Sequence, residues 1–209
     1  MKTQSEIARL LLQSKAIKLE PANPFTWASG WKSPIYCDNR KTLSYPDVRD
    51  TIRNKFVDLI KAKFGVPDVI AGVATGAIAQ AALVADNMGL PMVYIRSSAK
   101  SHGLENLIEG VLEPGQKTVV IEDLVSTGGS SLKAVDALRQ AGAEVLGMTA
   151  IFTYGFPVAE ENFKNHKCVL HTLSNYEYLL DTALEAGAIS NKELEILKNW
   201  RKDPRNWGK

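Results

Sequence analysis

Val119-Val120-Ile121-Glu122-Asp123-Leu124-Val125-Ser126-Thr127-Gly128-Gly129-Ser130-Ser131 is the stretch whose reading decides how this chain folds. A β-branched run ends in two acids, a turn rich in hydroxyls and glycine follows, and a helical pattern begins. The run Lys117–Ile121 has no polar alternation, which predicts a strand buried on both faces. Ser130–Ala141 is expected to be the next helix, ended by Gly142. The same rhythm recurs on either side. Asp68–Ala71, Pro91–Ile95, Val145–Phe152 and Cys168–Leu173 read as strands, and Ala77–Met88 as an alanine-rich helix. Strands alternating with helices imply the α/β class, a parallel sheet flanked by helices.

Towards the N-terminus, Val48, Ile52, Phe56, Leu59 and Ile60 trace one helical stripe from Asp47 to Lys63, terminated by Gly65. Phe25-Thr26-Trp27 and Pro34-Ile35-Tyr36-Cys37 flank Ala28-Ser29-Gly30, a pattern that predicts a hairpin outside the strand–helix rhythm, as a small hood. Thr3–Glu6, Ser174–Glu177 and Ser190–Glu193 each have the hydroxyl and acid spacing of a capping box, in which side chains satisfy the first free amides of a helix. The expected organisation is a single domain, 1–209, with a hood mainly from 1–40, a core from about 41–180 and C-terminal helices in 175–209.

Composition narrows the function. The 209 residues are 45% hydrophobic and 23% charged, and 25 Lys and Arg against 23 Asp and Glu leave a net charge of +2. That is ordinary for a globular protein and too small an excess for a nucleic-acid partner. Cys37 and Cys168 form no CxxC pair and read as reduced thiols of a cytosolic protein. The first 20 residues lack a signal-peptide core and the chain has no run of about 18 apolar residues, so a cytoplasmic location without membrane contact is expected.

The turn carries the chemistry. Ligands of open α/β sheets bind beyond the carboxyl ends of the strands. Ser126–Ser130 would sit there, at a helix N-terminus whose free amides and dipole favour an anion. Glu122 and Asp123 would repel a bare phosphate. They make sense if the ligand also presents vicinal hydroxyls or Mg²⁺, as a ribose 5-phosphate carrying a diphosphate does. The plainer reading is a capped helix start with two solvated acids. Neither a P-loop nor a dinucleotide fingerprint occurs.

Two acids, two apolar residues, hydroxyls and glycines after a β-branched strand resemble the signature of type I phosphoribosyltransferases. The resemblance implies that Glu122 and Asp123 contact ribose hydroxyls, that Ser126, Thr127, Gly128, Gly129 and Ser130 hold the 5-phosphate, and that Leu124 and Val125 belong to the same binding stretch for 5-phosphoribosyl 1-diphosphate. Gly72–Ala77, after a strand, is similar to the family's short diphosphate loop, with Thr75 near the place of a common lysine.

Arg96-Ser97-Ser98-Ala99-Lys100-Ser101-His102-Gly103 gathers three cationic or titratable side chains on one polar loop, where solvated charges are the plainer reading. It resembles the catalytic loop of the orotate branch of the family. The resemblance implies a homodimer in which Arg96, Lys100 and His102 act in the partner's site, with Lys100, His102 and Asp123 as catalytic groups. Many members have a second basic residue where this chain has Ser97. Phe25–Tyr36 is similar to that branch's hood, with Ala28 where a lysine is common, and an orotate-contacting arginine near Phe152–Tyr154 is missing. The base would then meet Tyr36, Cys37 and Ser126. Mg²⁺ is the implied cofactor, held mainly through the substrate and with no direct protein ligand. The resemblance spans roughly residues 1–180. A purine-base phosphoribosyltransferase and a non-catalytic sensor of the same diphosphate are the competing readings. The first should lack the loop and hood, and the second needs a nucleic-acid-binding element. Trp27, Trp31, Trp200 and Trp207 read as packing, His166 and His171 as surface or core residues, and Lys198, Arg201, Lys202 and Arg205 as a solvated helix end.

Overall fold

Six strands share one sheet in the computed structural model, which describes residues 3–27, 30–98 and 107–208. Ten strands and seven α-helices are assigned among the described residues. In chain order, α1 (Thr3–Gln13), β1 (Ile17–Leu19), β2 (Phe25–Thr26), β3 (Lys32–Ser33) and β4 (Ile35–Cys37) precede a 3-10 turn over Asn39–Ser44. Then come α2 (Pro46–Phe64), β5 (Val69–Val73), α3 (Ile78–Met88), β6 (Met92–Ile95), β7 (Ile108–Glu109), β8 (Lys117–Val125) and α4 (Gly129–Gln140). The chain ends with β9 (Glu144–Thr153), α5 (Pro157–Asn165), β10 (Leu170–Asn175), α6 (Tyr176–Glu185) and α7 (Asn191–Lys202).

The main sheet has the order β10-β9-β8-β5-β6-β7, parallel except for the antiparallel edge strand β7. The central strands are apolar on both sides because helices cover both. On β8, Val119 and Ile121 belong to the core beneath α1, α2, α3 and α6, whereas Val120 belongs to the core beneath α4 and α5. Successive residues of the run point to opposite faces, so one continuous apolar run feeds two cores.

Several local expectations shift. β8 does not stop at Ile121. Its parallel ladder with β9 continues through Glu122↔Ala150, Leu124↔Phe152 and Val125↔Thr153, so the backbone of the two acids is held in the sheet. Gly30, at φ 82°, makes the expected hairpin turn, with its N–H on the Trp27 carbonyl at 2.8 Å. The returning arm, however, is Lys32–Ser33, and Ile35–Cys37 pairs with Ile17–Leu19 instead. Ser190 and Glu193 form the expected capping box. At α6 the cap is Asn175, whose side chain accepts the Tyr178 N–H at 3.1 Å, while Ser174 donates to the Gln4 carbonyl. Thr3 is already helical, and Glu6 pairs with Lys55 Nζ at 3.1 Å. Helix α5, strand β7 and the 3-10 turn carry no periodic signal long enough to announce them.

The tryptophans pack. Trp200 is fully buried, donates its indole N–H to the Lys32 carbonyl at 3.2 Å and meets Trp27 edge-on at 5.6 Å. This contact fastens α7 to the hairpin. Each such aromatic pair contributes about 0.5–1.5 kcal/mol beyond its area burial.

Candidate functional site

At the carboxyl end of the sheet, four stretches, only the last two of them near each other in sequence, line one cavity of about 290 Å³. They are Cys37, Asp38 and Arg40 after β4; Val73, Ala74, Thr75 and Gly76 after β5; Glu122, Asp123 and Leu124 on β8; and Ser130 at the start of α4. Adjacent parallel strands β5 and β8 bring the second and third stretches together. Asn39 brings the first: it is buried, and its Nδ2 donates to the Asp123 carbonyl at 2.6 Å.

The two acids do different things. Glu122 is 5% exposed, and both its oxygens are engaged. Oε1 accepts the Asp123 N–H at 2.9 Å and Oε2 accepts the Ser131 hydroxyl at 2.7 Å. Burial first, and then the neighbouring negative charge of Asp123, push its carboxyl up to about 8. Glu122 therefore ties β8 to α4. Asp123 lies with its carboxylate against Gly76, where only a hydrogen leaves it room. Asp38 is held below the usual carboxylate range by the Arg40 guanidinium, whose Nε lies 2.7 Å from its Oδ1.

Gly128 begins α4 with φ 82°, a left-handed conformation suited to glycine, and a side chain there would also strike the Phe163 ring. No side chain caps this helix, so the amides of its first turn are open to a ligand. Asn162 Nδ2 on α5 donates to the Thr127 carbonyl at 2.9 Å and steadies the turn. Ser126, Thr127, Gly128 and Gly129 lead directly into Ser130; the Val125 side chain is fully buried in the core under α4, leaving only its backbone near the turn.

Tyr36 is 38% exposed with its ring 5.5 Å from Phe25. The Cys37 thiol donates to Asn39 Oδ1 at 3.3 Å, and burial, followed by the charges of Asp123 and Asp38, raises it well above the usual thiol range. Arg96 follows β6 and pairs with Glu109 Oε1 at 3.5 Å. It lines an adjoining cavity of about 180 Å³, which shares Val73, Ala74 and Ser130 with the first. Lys100 and His102 lie outside the described residues.

The structure thus gathers Cys37, Thr75, Glu122, Asp123, Leu124 and Ser130 in one cavity and puts Arg96 beside it. Sequence reasoning missed Asp38, Asn39, Arg40 and Lys133. Only the polar run Asp38-Asn39-Arg40, immediately after an apolar strand, offered a signal for the first three. Among the described residues no group of three or more His, Cys, Asp or Glu is placed to hold a metal ion. No helix among them is long and apolar enough to cross a membrane.

The phosphoribosyl transferase domain family matches residues 42–177. The orotate phosphoribosyltransferase of Bacteroides thetaiotaomicron is 64% identical over 96% of this chain and 94% of its own length. That of Porphyromonas gingivalis is 60% identical over the whole of both chains. The crystal structure of orotate phosphoribosyltransferase from Aeropyrum pernix shares the fold, with a TM-score of 0.76 at 24% identity over 88% of this chain and 99% of that one. The chain belongs to the orotate phosphoribosyltransferase family.

Proposed function

We propose that this protein, as one phosphoribosyltransferase domain in the cytoplasm, transfers the phosphoribosyl group of 5-phosphoribosyl 1-diphosphate to orotate, giving orotidine 5′-monophosphate and diphosphate for pyrimidine synthesis. The observation that carries the reading is the shared cavity of Asp123, Ser130, the Val73–Gly76 loop and the stretch after β4. Open amides at the start of α4, with Ser126, Thr127 and Ser130 hydroxyls, suit the 5-phosphate. Asp123 accepts hydrogen bonds from the ribose hydroxyls, and Glu122 braces the strand that presents it. Thr75 faces the diphosphate. Tyr36, Cys37 and Ser126 meet the base, the protonated Cys37 thiol making no charge against an anionic substrate.

As the diphosphate leaves, positive charge develops on the ribose, and the site must stabilise that charge and keep water out. Arg96 and Lys100 neutralise the leaving group and His102 supplies it a proton. These three act in the partner subunit's site of a homodimer, so closing the loop both shields and completes the centre.

Mg²⁺ fits this donor set. Both Glu122 oxygens are already hydrogen-bonded, which leaves Asp123 as the hard oxygen donor of the pair, too few for a protein-held octahedral ion. The ion would be carried mainly by the diphosphate and ribose oxygens, with Asp123 beside it. When bound it lowers the charge on the leaving group.

The test follows orotate absorbance with the diphosphate and Mg²⁺. Turnover is expected with orotate and not with purine bases. Lys100→Ala is expected to reduce kcat by at least ~100-fold with an unchanged melting curve, the scale of losing one transition-state charge partner. Unaltered turnover in that variant overturns the residue assignment, and turnover with purines alone overturns the choice of base.

A further inference from the structure

The smaller cavity contains a cation that the reaction described above does not use. Lys133 lines it together with Arg96, Ser97 and Ser130, over a floor that includes Val73 and Ala74. Arg96 is paired with Glu109. The Lys133 side chain makes no hydrogen bond or ion pair with any described residue. The loop Val73–Gly76, which forms the wall towards the ribose cavity, carries no charge of its own.

The position is fixed by the helix. Lys133 follows Ser130 by three residues on α4, so the two side chains share a face. Its neighbours Leu132, Ala134 and Val135 are buried in the core under α4 and anchor that face. A cation one turn inside a helix N-terminus sits at the unfavourable end of the dipole, and the first turn of α4 holds no acidic residue to offset it. A bound anion removes that penalty.

We propose that Lys133 is a fixed binding residue for the diphosphate of the substrate, supplied by the same chain that supplies Asp123. This rests on the orotate phosphoribosyltransferase reading and adds a contact to it. The 5-phosphate has the amides of Gly129 to Ser131 for partners. The diphosphate, on the side of Val73, Ala74 and Arg96, has Lys133. If Arg96, Lys100 and His102 serve the partner subunit, Lys133 stays in its own site, unlike Arg40 without an acidic partner among the described residues, and holds the diphosphate before the loop closes.

The experiment is calorimetric titration of the whole protein with inorganic diphosphate and Mg²⁺, and separately with orotidine 5′-monophosphate. Lys133→Gln, an exposed substitution with no packing to lose, is expected to weaken diphosphate binding about 10-fold, as loss of one charge partner does. Binding of the monophosphate should stay within about 2-fold, and Lys133→Arg should restore diphosphate affinity. Unchanged diphosphate binding overturns the proposal. So does a loss confined to the monophosphate, which would assign Lys133 to the 5-phosphate, and so does an equal loss of both. Turnover of orotate by the unsubstituted protein is measured in parallel. Its absence counts against the proposed reaction, whereas turnover with indifferent diphosphate binding counts against Lys133 alone.

Discussion

Replacing Gly76 by alanine tests whether the placement of one carboxylate controls the reaction. A Cβ on Gly76 would lie 2.5 Å from Asp123 Cγ and 2.7 Å from Oδ1, where ordinary contact starts near 3.4 Å. The Asp123 backbone cannot yield easily. Its carbonyl is held by Asn39, its N–H by Glu122, and its neighbours by the β8–β9 ladder. The side chain must therefore swing away by roughly 1 Å, a displacement that costs about 100-fold when the group positions substrate. The expected outcome is a fall in kcat/KM for the diphosphate substrate of about 100-fold, equivalent to ~2.7 kcal/mol. Gly76 does not have positive φ, so alanine gains roughly 0.4–1 kcal/mol from a stiffer unfolded chain, against ~1–3 kcal/mol of crowding. The net, a destabilisation of at most about 2.6 kcal/mol, lowers the Tm by no more than about 10 °C in a chain of this size and leaves the protein folded in the assay. The assay is steady-state kinetics on Gly76→Ala, Asp123→Ala and the double variant. If the clash acts through Asp123, the second substitution adds nothing once the carboxylate is gone. Activity within about 3-fold of the parent in Gly76→Ala would refute the reasoning. A further large loss in the double variant would show that the alanine acts by another route.

Two more outcomes follow from the same geometry. Because the folded state holds Glu122 protonated up to about pH 8, it keeps a proton that the unfolded chain releases near ~4.3, so this residue makes stability fall as pH rises between those values. Glu122→Gln should flatten the Tm–pH curve over that window and exceed the parent Tm at pH 8 by scanning calorimetry; parallel curves would contradict the linkage. Asn39→Ala leaves the half-buried Asp123 carbonyl without its donor, so a loss of about 1–3 kcal/mol in urea unfolding is expected, with a raised KM for the diphosphate substrate. An unchanged urea midpoint would mean that water replaces the lost donor at no cost.

The architecture was legible because its signals are local. Periodicity over Asp47–Lys63, the unbroken run at Val119–Ile121 and Gly65 after a helix each depend on neighbours within a few residues. Where the sequence reading slipped, a distant partner decided. Strand β9 carries the sheet past Ile121 through Val125. Strand β1 takes Ile35–Cys37 out of the hairpin. The Gln4 carbonyl takes the Ser174 hydroxyl, leaving Asn175 to cap α6. None of these partners lies within 15 positions of the residue it redirects.

The same division runs through the site. Chemistry carried by a contiguous motif, such as an anion turn after a strand with two acids before it, is written in the order of residues. Asp38, Arg40 and Lys133 reach the cavities only because β4, β8 and α4 converge there. Glu122 and Asp123 are adjacent and, as letters, nearly interchangeable. Their partners separate them: both line the same cavity, yet one carboxylate is held by the Ser131 hydroxyl on α4 and the other lies against Gly76. From the sequence alone came the pair of acids, the turn and the family they resemble; only the packing of helices on the two faces of the sheet made one acid a buried brace and set the other against the Gly76 loop.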